Sequence, residues 1–314
     1  MIAVVSYPED PHAEAVIAHL HEAGVPVTLL DLADLPDRAT LTIGYDNGGP
    51  PRLEYRRADE APLDLRTVRT VWWRRPQIAD PVAIVDPSVR AFALNEWQEA
   101  INGLWQLLDA RWVNDPVRDE VAARKALQLR VAAEVGLRVP RTLVTSDPDQ
   151  ARAFIDSQDG AGTIFKTFSC THEIWRETRL VLEDERDLLD AVRLAPVIFQ
   201  EYVPAEVDLR VTVVGRRLFA AAIHSQSTNY PVDFRMSLGQ ARVEPTTLPE
   251  EVERRLFALM ERLGLTYGAV DMRRTPSGEH VFLEVNTAGE FLFVEDRTAQ
   301  PIARALAELL AEPA

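Results

Sequence analysis

Polar side chains alternate with apolar ones in two short runs near the end of the chain. Asp271 and Arg273 take alternate positions in the first run, and Glu284 and Asn286 do so in the second. Side chains two positions apart on a strand point to one face, and residues 274–279 carry the Pro and Gly of a hairpin turn. Carboxylate and amide oxygens suit Mg²⁺, which completes its octahedron with water and substrate phosphates. The two acids and the asparagine therefore predict a partial magnesium shell in an enzyme that uses a nucleotide.

Basic side chains elsewhere are candidates for binding phosphate. Lys166 lies inside an otherwise apolar run, where a lysine is costly unless it meets an anion. Lys125 is a weaker signal, because a lysine on a helix is more often a surface residue. Arg74 and Arg75 lie at the end of a predicted strand at 70–76. The sequence favours neither of two interpretations for them, a strand end exposed to solvent or a role in binding substrate.

The bulk composition is typical of a soluble globular enzyme, with 46% hydrophobic and 26% charged residues. Its 314 residues favour two or three domains. We find no apolar run long enough to span a membrane and interpret residues 1–30 as folded structure. The single cysteine, Cys170, excludes an intrachain disulfide and predicts a reducing cytoplasm. The net charge of −15 argues against a general nucleic-acid binder, although a local basic pocket can still take an anionic substrate.

The N-terminal part of the chain has a β-α-β pattern. A strand at 2–5, a helix from Asp10 to Gly24 and a strand at 25–30 predict an open α/β domain without the glycine fingerprint of a dinucleotide site. Residues 36–66 predict an inserted hairpin. The amphipathic pattern of 88–109 predicts a helix whose aromatic side chains form a core or a dimer face.

The rest of the chain continues with mixed helices and strands. Asp208 and Arg210 share one face of a predicted hairpin at 208–223, and Arg235 lies in a polar segment, 224–241, without a clear period. The remaining predicted elements are a helix from 114 to 136, a strand at 139–145, a helix from 147, strands at 162–167 and 196–204, and helices at 249–264 and 300–310.

With these residues in hand, the chain resembles the ATP-grasp superfamily over its whole length. The landmarks that occur in that superfamily's order are Lys125, Lys166, Gln200-Glu201-Tyr202-Val203, Asp208-Leu-Arg210, Asp271 and Glu284-Val-Asn286. The chain is more similar still to the ATP-grasp ligases that cyclise ribosomally made peptides, the microviridin or graspetide type. The matching stretches are Trp72-Trp-Arg-Arg-Pro76, Val139-Pro-Arg-Thr-Leu-Val-Thr145, Asp208-Leu-Arg-Val-Thr-Val-Val-Gly215, Asp233-Phe-Arg235 and Phe282-Leu-Glu-Val-Asn286.

The chain departs from this group at two places. Thr287 stands where the group usually has a proline after the metal-site asparagine. The loop after Lys166 lacks the glycines that many members place over the phosphates, so Ser169, Thr171 or His172 are candidates for part of that cover.

The resemblance implies an α/β protein with the ATP-grasp fold. Its parts would be an N-terminal open α/β pre-ATP-grasp domain at 1–115, a central lid subdomain at 116–200 and a C-terminal antiparallel-sheet lobe at 201–314. It also implies the ligands of ATP and Mg²⁺: Lys125 and Lys166 at the phosphates, the hinge Glu201, Tyr202 and Val203 at the adenine, Asp208 at the ribose, and Asp271, Glu284 and Asn286 at the metal.

The reaction implied is the activation of a peptide side-chain carboxylate as an acyl phosphate, followed by attack of a hydroxyl or amine to form an ester or amide. Cations must lie between two anions that react, and a guanidinium fork matches carboxylate and phosphate oxygens. Arg210, Arg235 and Arg273 are therefore the candidate catalytic arginines. The alternative for each is an ion pair with a neighbouring carboxylate. Cys170 lacks the constellation of a nucleophile, and no residues have zinc-ligand spacing.

Three functions remain open at this stage. The leading hypothesis is a peptide macrocyclase, the second is a ligase that adds free amino acids to a peptide or protein end, and the third is a nucleotide-binding partner without turnover. For the first, we expect a precursor peptide as partner, with its leader docked at 172–195 or at the hairpin 208–223. We also expect a homodimer in the cytoplasm that binds neither nucleic acid nor membrane.

Overall fold

The computed structural model describes residues 1–58, 60–158, 162–168 and 178–313. The chain forms two compact units, Met1–Pro116 with Pro301–Ala314, and Val117–Gln300. The finer division at 115 and 200 stays a prediction. No helix in the described ranges has both the length and the apolar character needed to cross a bilayer.

The first unit holds a parallel sheet and a small antiparallel one. Its described strands are β1 Ile2–Val5, β2 Val27–Leu30, β3 Ala39–Gly44, β4 Arg52–Arg57, β5 Leu63–Asp64, β6 Thr70–Trp73 and β7 Arg111–Val113. Its helices are α1 Pro11–Glu22 and α2 Pro87–Trp105, together with the last helix of the chain, α8 Ile302–Ala311. The parallel sheet has the order β2-β1-β6-β7, and β3-β4-β5 form the antiparallel one.

The predicted β-α-β start of the first unit is confirmed. The Asp10 side chain accepts from the His12 N–H at the start of α1, and Pro11 takes the first helical position. The helix is followed by Gly24, whose φ of +68° is readily adopted only by glycine. The chain then returns to β2 beside β1, as a right-twisted sheet with a short connection requires.

The strand end at Arg74 is not exposed to solvent, which was one of the two alternatives in the sequence analysis. Arg74 is buried, and its Nε lies 3.2 Å from the Asp10 carboxylate, which also accepts from the Ser6 hydroxyl. A charge of this kind is stable in a core only when it is paired. The solvated alternative is therefore wrong for Arg74, because the helix cap at Asp10 supplies the buried counter-charge.

Helix α2 divides its aromatic residues between core and surface. Trp105 meets Trp73 and Trp112 edge to face, with ring centroids 5.6 and 5.8 Å away. Phe92, in the second turn of the same helix, is 66% exposed. The predicted core face is thus confirmed for the C-terminal half of the helix, and the N-terminal half leaves apolar side chains on the surface.

The second unit holds two antiparallel sheets. Its described strands are β8 Thr142–Thr145, β9 Thr163–Lys166, β10 Arg179–Leu180, β11 Val197–Glu201, β12 Val207–Val214, β13 Arg217–Ile223, β14 Val243–Thr246, β15 Tyr267–Arg274 and β16 His280–Asn286. Its helices are α3 Pro116–Ala122, which begins at the unit boundary, α4 Lys125–Glu134, α5 Pro148–Asp156, α6 Glu250–Leu263 and α7 Leu292–Thr298. The sheet orders are β10-β9-β11-β8 and β14-β13-β12-β15-β16.

The five-stranded sheet has one apolar and one polar face. Its apolar side chains, among them Leu209, Val270 and Phe282, pack in one core with residues of α4 and α6. Because strand side chains alternate, the residues between them point to the opposite face. That face carries the acidic, basic and amide side chains identified in the sequence.

One long predicted helix is wrong. Residues 114–136 form two helices, α3 and α4, separated at Arg124, whose ψ of 106° is extended. The Gln128 side chain donates to the Ala122 carbonyl at the end of α3. This contact satisfies a backbone group that a continuous helix would have bonded internally, and it places Lys125 at the first turn of a new helix.

Candidate active site

The hairpin of β15 and β16 brings the predicted oxygen donors together. Asp271 lies opposite Glu284 and Ala269 lies opposite Asn286 in the antiparallel register. The Asn286 Nδ2 donates to Asp271 Oδ2 over 3.1 Å. A bulge follows at Asp271/Met272, where a strand bends locally and re-aims its side chains. The predicted hairpin with a shared polar face is therefore present.

Two arginines of the polar face are paired with carboxylates across β12 and β15. Arg210 Nη1 lies 2.7 Å from Asp271 Oδ1, and Arg273 Nε lies 2.8 Å from Asp208 Oδ1. Both pairs follow from the register, which sets Arg210 opposite Asp271 and Asp208 opposite Arg273. The ion-pair alternative thus holds in this structure, and the catalytic roles of these arginines stay predictions.

Arg210 keeps one donor that the described residues do not use. Its Nε is buried, and no hydrogen-bond partner lies within reach in the described part of the chain. The rings of Phe234 and Phe293 lie 5.9 and 5.5 Å from its guanidinium carbon. Aromatic faces hold a guanidinium in place without using its N–H groups. The arrangement therefore leaves Arg210 oriented, with a donor suited to an oxyanion.

The two predicted phosphate lysines converge on Glu284. Lys125 Nζ donates to Glu284 Oε2. Lys166 ends β9 and is half-buried. Burial lowers its pKa to about 8, although the negative charges of Glu284 and Asp271 act the other way. Two ammonium groups near one carboxylate form a positive region that suits a phosphate chain.

The two facing carboxylates have opposite pKa shifts. Burial raises the pKa of Asp271, and the Arg210 guanidinium opposes that shift without cancelling it. Burial would also raise the pKa of Glu284, but the charges of Lys125 and Lys166 lower it below its ordinary value. Buried acids that share a site cannot ionise independently, and a divalent cation between them would favour the charged form of both.

The donor set therefore fits a hard cation. Asp271, Glu284 and Asn286 offer oxygen atoms on adjacent strand positions, and Mg²⁺ prefers such ligands with water and phosphate in the remaining positions. In the ranges that the structure describes, no three His, Cys, Asp or Glu residues are grouped as a metal site. The predicted magnesium shell is consistent with this, because it contains only two acids and takes its other ligands from one amide and from phosphate.

Gln128 belongs to the site and was missed by the sequence analysis. Its amide nitrogen donates to the Val285 carbonyl over 2.9 Å, and its oxygen accepts from the Val285 N–H over 3.0 Å. This side chain pairs with the edge strand β16 as a neighbouring strand would. It fixes the first turn of α4, and with it Lys125, beside Glu284. The sequence offers one indication of this role, because Gln128 lies one helical turn after Lys125 and therefore on the same face of α4.

The hinge after β11 presents backbone groups at the end of the smaller sheet. The N–H groups of Glu201 and Tyr202 donate to the carbonyls of Arg141 and Gly162, over 2.9 and 3.0 Å. The Val203 carbonyl accepts from Arg273. The adenine contact of the hinge stays a prediction.

Asp208 and Arg235 have partners of their own. The second oxygen of Asp208 accepts from Ser225, so both oxygens of this carboxylate are engaged inside the protein and its ribose contact stays a prediction. Arg235 forms a two-pronged pair with Asp233, at 2.8 and 2.5 Å. Asp233 and the negative charges of Glu284 and Asp271 raise the pKa of Arg235, so the guanidinium lies within electrostatic reach of the predicted metal ligands.

Four residues of the predicted phosphate loop, namely Ser169, Cys170, Thr171 and His172, lie outside the described residues. The first part of the predicted leader segment, 172–177, does so too.

Comparisons with known proteins identify relatives of this chain. The macrocyclase MdnC of Microcystis aeruginosa MRC, solved with the precursor peptide MdnA, is 30% identical, with a TM-score of 0.89 and 99% of each chain covered. A RiPP-associated ATP-grasp ligase of Chryseobacterium gregarium, solved with ADP and a leader and core peptide, is 26% identical, with a TM-score of 0.88 over 98% of this chain and 96% of that chain. A probable alpha-L-glutamate ligase of Enterobacter sp. (strain 638) is 30% identical over 63% of this chain and 67% of that protein.

The fold is that of an ATP-grasp ligase. Residues 122–310 match the RimK-like ATP-grasp domain and residues 1–120 match the MvdD pre-ATP grasp domain, and the chain belongs to the RimK-like ATP-grasp family. The predicted fold is confirmed, as is the predicted similarity to peptide macrocyclases.

Proposed function

We propose that this ligase uses Mg²⁺ and ATP to join side-chain carboxylates of a precursor peptide to its hydroxyl or amine side chains, forming macrocycles. The observation that carries the proposal is the similarity to a peptide macrocyclase over 99% of both chains. The oxygen donors of the β15–β16 hairpin, together with Lys125 and Lys166, support the nucleotide and metal part.

Each residue has one task in this proposal. Lys125 and Lys166 would bind the phosphate chain, and Asp271, Glu284 and Asn286 would hold Mg²⁺, which would supply charge neutralisation at the phosphates. Arg210 and Arg235 bind the peptide carboxylate and keep it beside the phosphate, because two anions approach only when cations lie between them.

The chemistry balances as two substitutions. A carboxylate oxygen of the peptide attacks the γ-phosphorus, the bond to the ADP oxygen breaks, and an acyl phosphate forms. A hydroxyl or amine then attacks the acyl carbon, loses its proton to solvent and releases phosphate. Each link therefore removes one water from the peptide.

We place the leader peptide at the described part of the predicted segment, 178–195. Leu182, Leu188 and Leu194 are 52, 67 and 90% exposed there, whereas β12 of the alternative site, the hairpin 208–223, is buried along its whole length. Apolar side chains on a surface suit an amphipathic leader helix. Replacing Leu188 with Glu should weaken leader binding in a fluorescence titration, and unchanged binding would contradict this location.

The predicted homodimer would use the exposed apolar side chains around the start of α2. Val82, Val85, Val89 and Phe92 are 61, 92, 51 and 66% exposed. Exposed apolar side chains in this number are characteristic of interfaces. A monomer mass in light scattering at micromolar concentration would contradict this part of the proposal.

Intact-mass spectrometry tests the reaction directly. A candidate precursor, encoded by a neighbouring small open reading frame with Thr, Ser or Lys near repeated Asp or Glu, is incubated with the protein, ATP and Mg²⁺. We expect the loss of about 18 Da per link, since each link removes one water. Glu284→Gln should abolish the loss. Glu279→Gln is the matched control, because Glu279 lies in the exposed turn of the same hairpin and pairs only with Arg138 among described residues.

The second candidate function rests on the similarity to the glutamate ligase. In that case, the peptide would gain the mass of an amino-acid residue when free glutamate is present. In the absence of glutamate, the peptide would not lose water. ATP binding without any mass change across precursors would instead favour a nucleotide-binding partner.

A further inference from the structure

The Arg273 guanidinium forms four hydrogen bonds inside the protein. Its Nε donates to Asp208 Oδ1 over 2.8 Å and its Nη1 to the Val203 carbonyl over 2.7 Å. Its Nη2 donates to the carbonyls of Pro231 and Val232, over 2.8 and 2.9 Å. The side chain is only 4% exposed. Four of its five N–H groups are thus engaged, three of them with backbone carbonyls.

These contacts join two segments that are distant in sequence. Val203 belongs to the hinge after β11, and the ring of Tyr202 lies 5.2 Å from the Arg273 guanidinium carbon. Pro231 and Val232 immediately precede Asp233, which begins the short turn that carries Arg235. One side chain therefore holds both the end of the hinge and the start of the arginine turn.

We infer that Arg273 is a positioning residue, which sets the hinge for the nucleotide base and does not itself contact the phosphates or the peptide. The inference rests on the proposed function for the identity of the hinge ligand. To bind a phosphate or carboxylate in bidentate fashion, the guanidinium would have to release at least one of its hydrogen bonds to Asp208 or to the backbone carbonyls, and a partner left without its hydrogen bond costs free energy. Asp208 supplies the counter-charge that makes this buried cation stable.

Lysine cannot replace this arrangement. Its ammonium is a single point of charge, whereas the planar guanidinium directs donors towards separate carbonyls at once. Arg273→Lys therefore keeps the charge beside Asp208 but loses the geometry that fixes Val203. The next residue offers a matched control: Arg274 lies on the same strand, and its Nε donates to the Glu206 carboxylate over 3.0 Å instead of to Val203.

The test separates base binding from phosphate binding. Calorimetry with Mg²⁺ measures the dissociation constants of ADP and inorganic tripolyphosphate for wild type, Arg273→Lys and Arg274→Lys. We expect Arg273→Lys to weaken ADP at least tenfold while tripolyphosphate changes by less than twofold, and Arg274→Lys to change neither. If Arg273→Lys does not fold, Tyr202→Leu removes the ring beside the guanidinium and should weaken ADP about threefold, again without affecting tripolyphosphate.

Two results would overturn the inference. Unchanged ADP affinity in folded Arg273→Lys would mean that the hinge does not depend on this side chain. Equal weakening of ADP and tripolyphosphate would mean that Arg273 contacts phosphate directly. A wild type that binds ADP but never changes a peptide's mass would refute the proposed reaction and leave this inference standing. A wild type that binds no ADP would refute both.

Discussion

Replacing Gln128 with methionine tests how α4 is held on the edge of the five-stranded sheet. Methionine has a similar length and volume but neither donates nor accepts a strong hydrogen bond. The change removes the bonds to the Ala122 carbonyl, the Val285 carbonyl and the Val285 N–H, at 2.8, 2.9 and 3.0 Å. Gln128 is 3% exposed, so water cannot readily replace it.

The expected loss of stability follows from these three bonds. A hydrogen bond contributes about 0.5–1.5 kcal/mol net, and a buried group left without its partner costs about 1–3 kcal/mol. We therefore expect the free energy of unfolding of Val117–Gln300 to fall by about 3 kcal/mol. For a unit of this size, that corresponds to a melting temperature lower by about 6–12 °C.

Calorimetry and hydrogen exchange provide the two assays. The Val285 amide should exchange about 100-fold faster, since 1.4 kcal/mol is a factor of ten. Gln158→Met is the control: Gln158 donates to the Phe154 carbonyl over 3.1 Å at the end of α5 but joins no strand, and its loss should stay within about 0.5 kcal/mol. A Gln128→Met protein that melts within about 1 °C of wild type would refute this account of how α4 is attached.

Two further perturbations address charge. The pKa of Lys166 is lowered to about 8. Nucleotide should therefore bind tightly at pH values below 8, and the dissociation constant of the nucleotide should rise towards tenfold per pH unit above pH 8. Lys166→Arg should abolish the rise of the dissociation constant with pH. A wild-type dissociation constant that stays constant from pH 7 to 9.5 would contradict the role of Lys166. Asp10→Asn keeps the cap of α1 but removes the charge beside buried Arg74, so the unit Met1–Pro116 with Pro301–Ala314 should lose about 3 kcal/mol in urea unfolding. Burial opposes ionisation of Asp10, but the neighbouring Arg74 lowers the pKa of this carboxyl below 3.8. The stabilisation by the Asp10–Arg74 pair is therefore present above pH 4 and is lost as the pH falls through the pKa of Asp10 in the folded state. Equal stabilities of wild type and Asp10→Asn at pH 7 would refute this account.

Local pattern alone predicted much of the fold. The alternation of Asp271 with apolar residues, the turn at 274–279 and the cap at Asp10 are set within a few residues, because strand period, turn chemistry and helix capping act over that distance. The order of the landmarks from Lys125 to Asn286 is also sufficient to identify the family.

Other features depend on residues that are far apart in the chain. The break between α3 and α4 depends on Gln128, whose second partner, Val285, is 157 residues away, and no propensity of residues 114–136 encodes that contact. The buried Arg74 guanidinium has a counter-charge in Asp10, the cap of α1, which lies 64 residues earlier in the chain.

The residue pattern specifies which chemical groups this protein has and which face of a strand or helix each one occupies. Which of those groups meet depends on the fold. The register of β12 against β15 pairs Arg210 with Asp271 and turns Arg273 towards Asp208 and the hinge. The physical reason is that a charged group's role depends on its partners within a few ångströms, and folding brings those partners from distant parts of the chain.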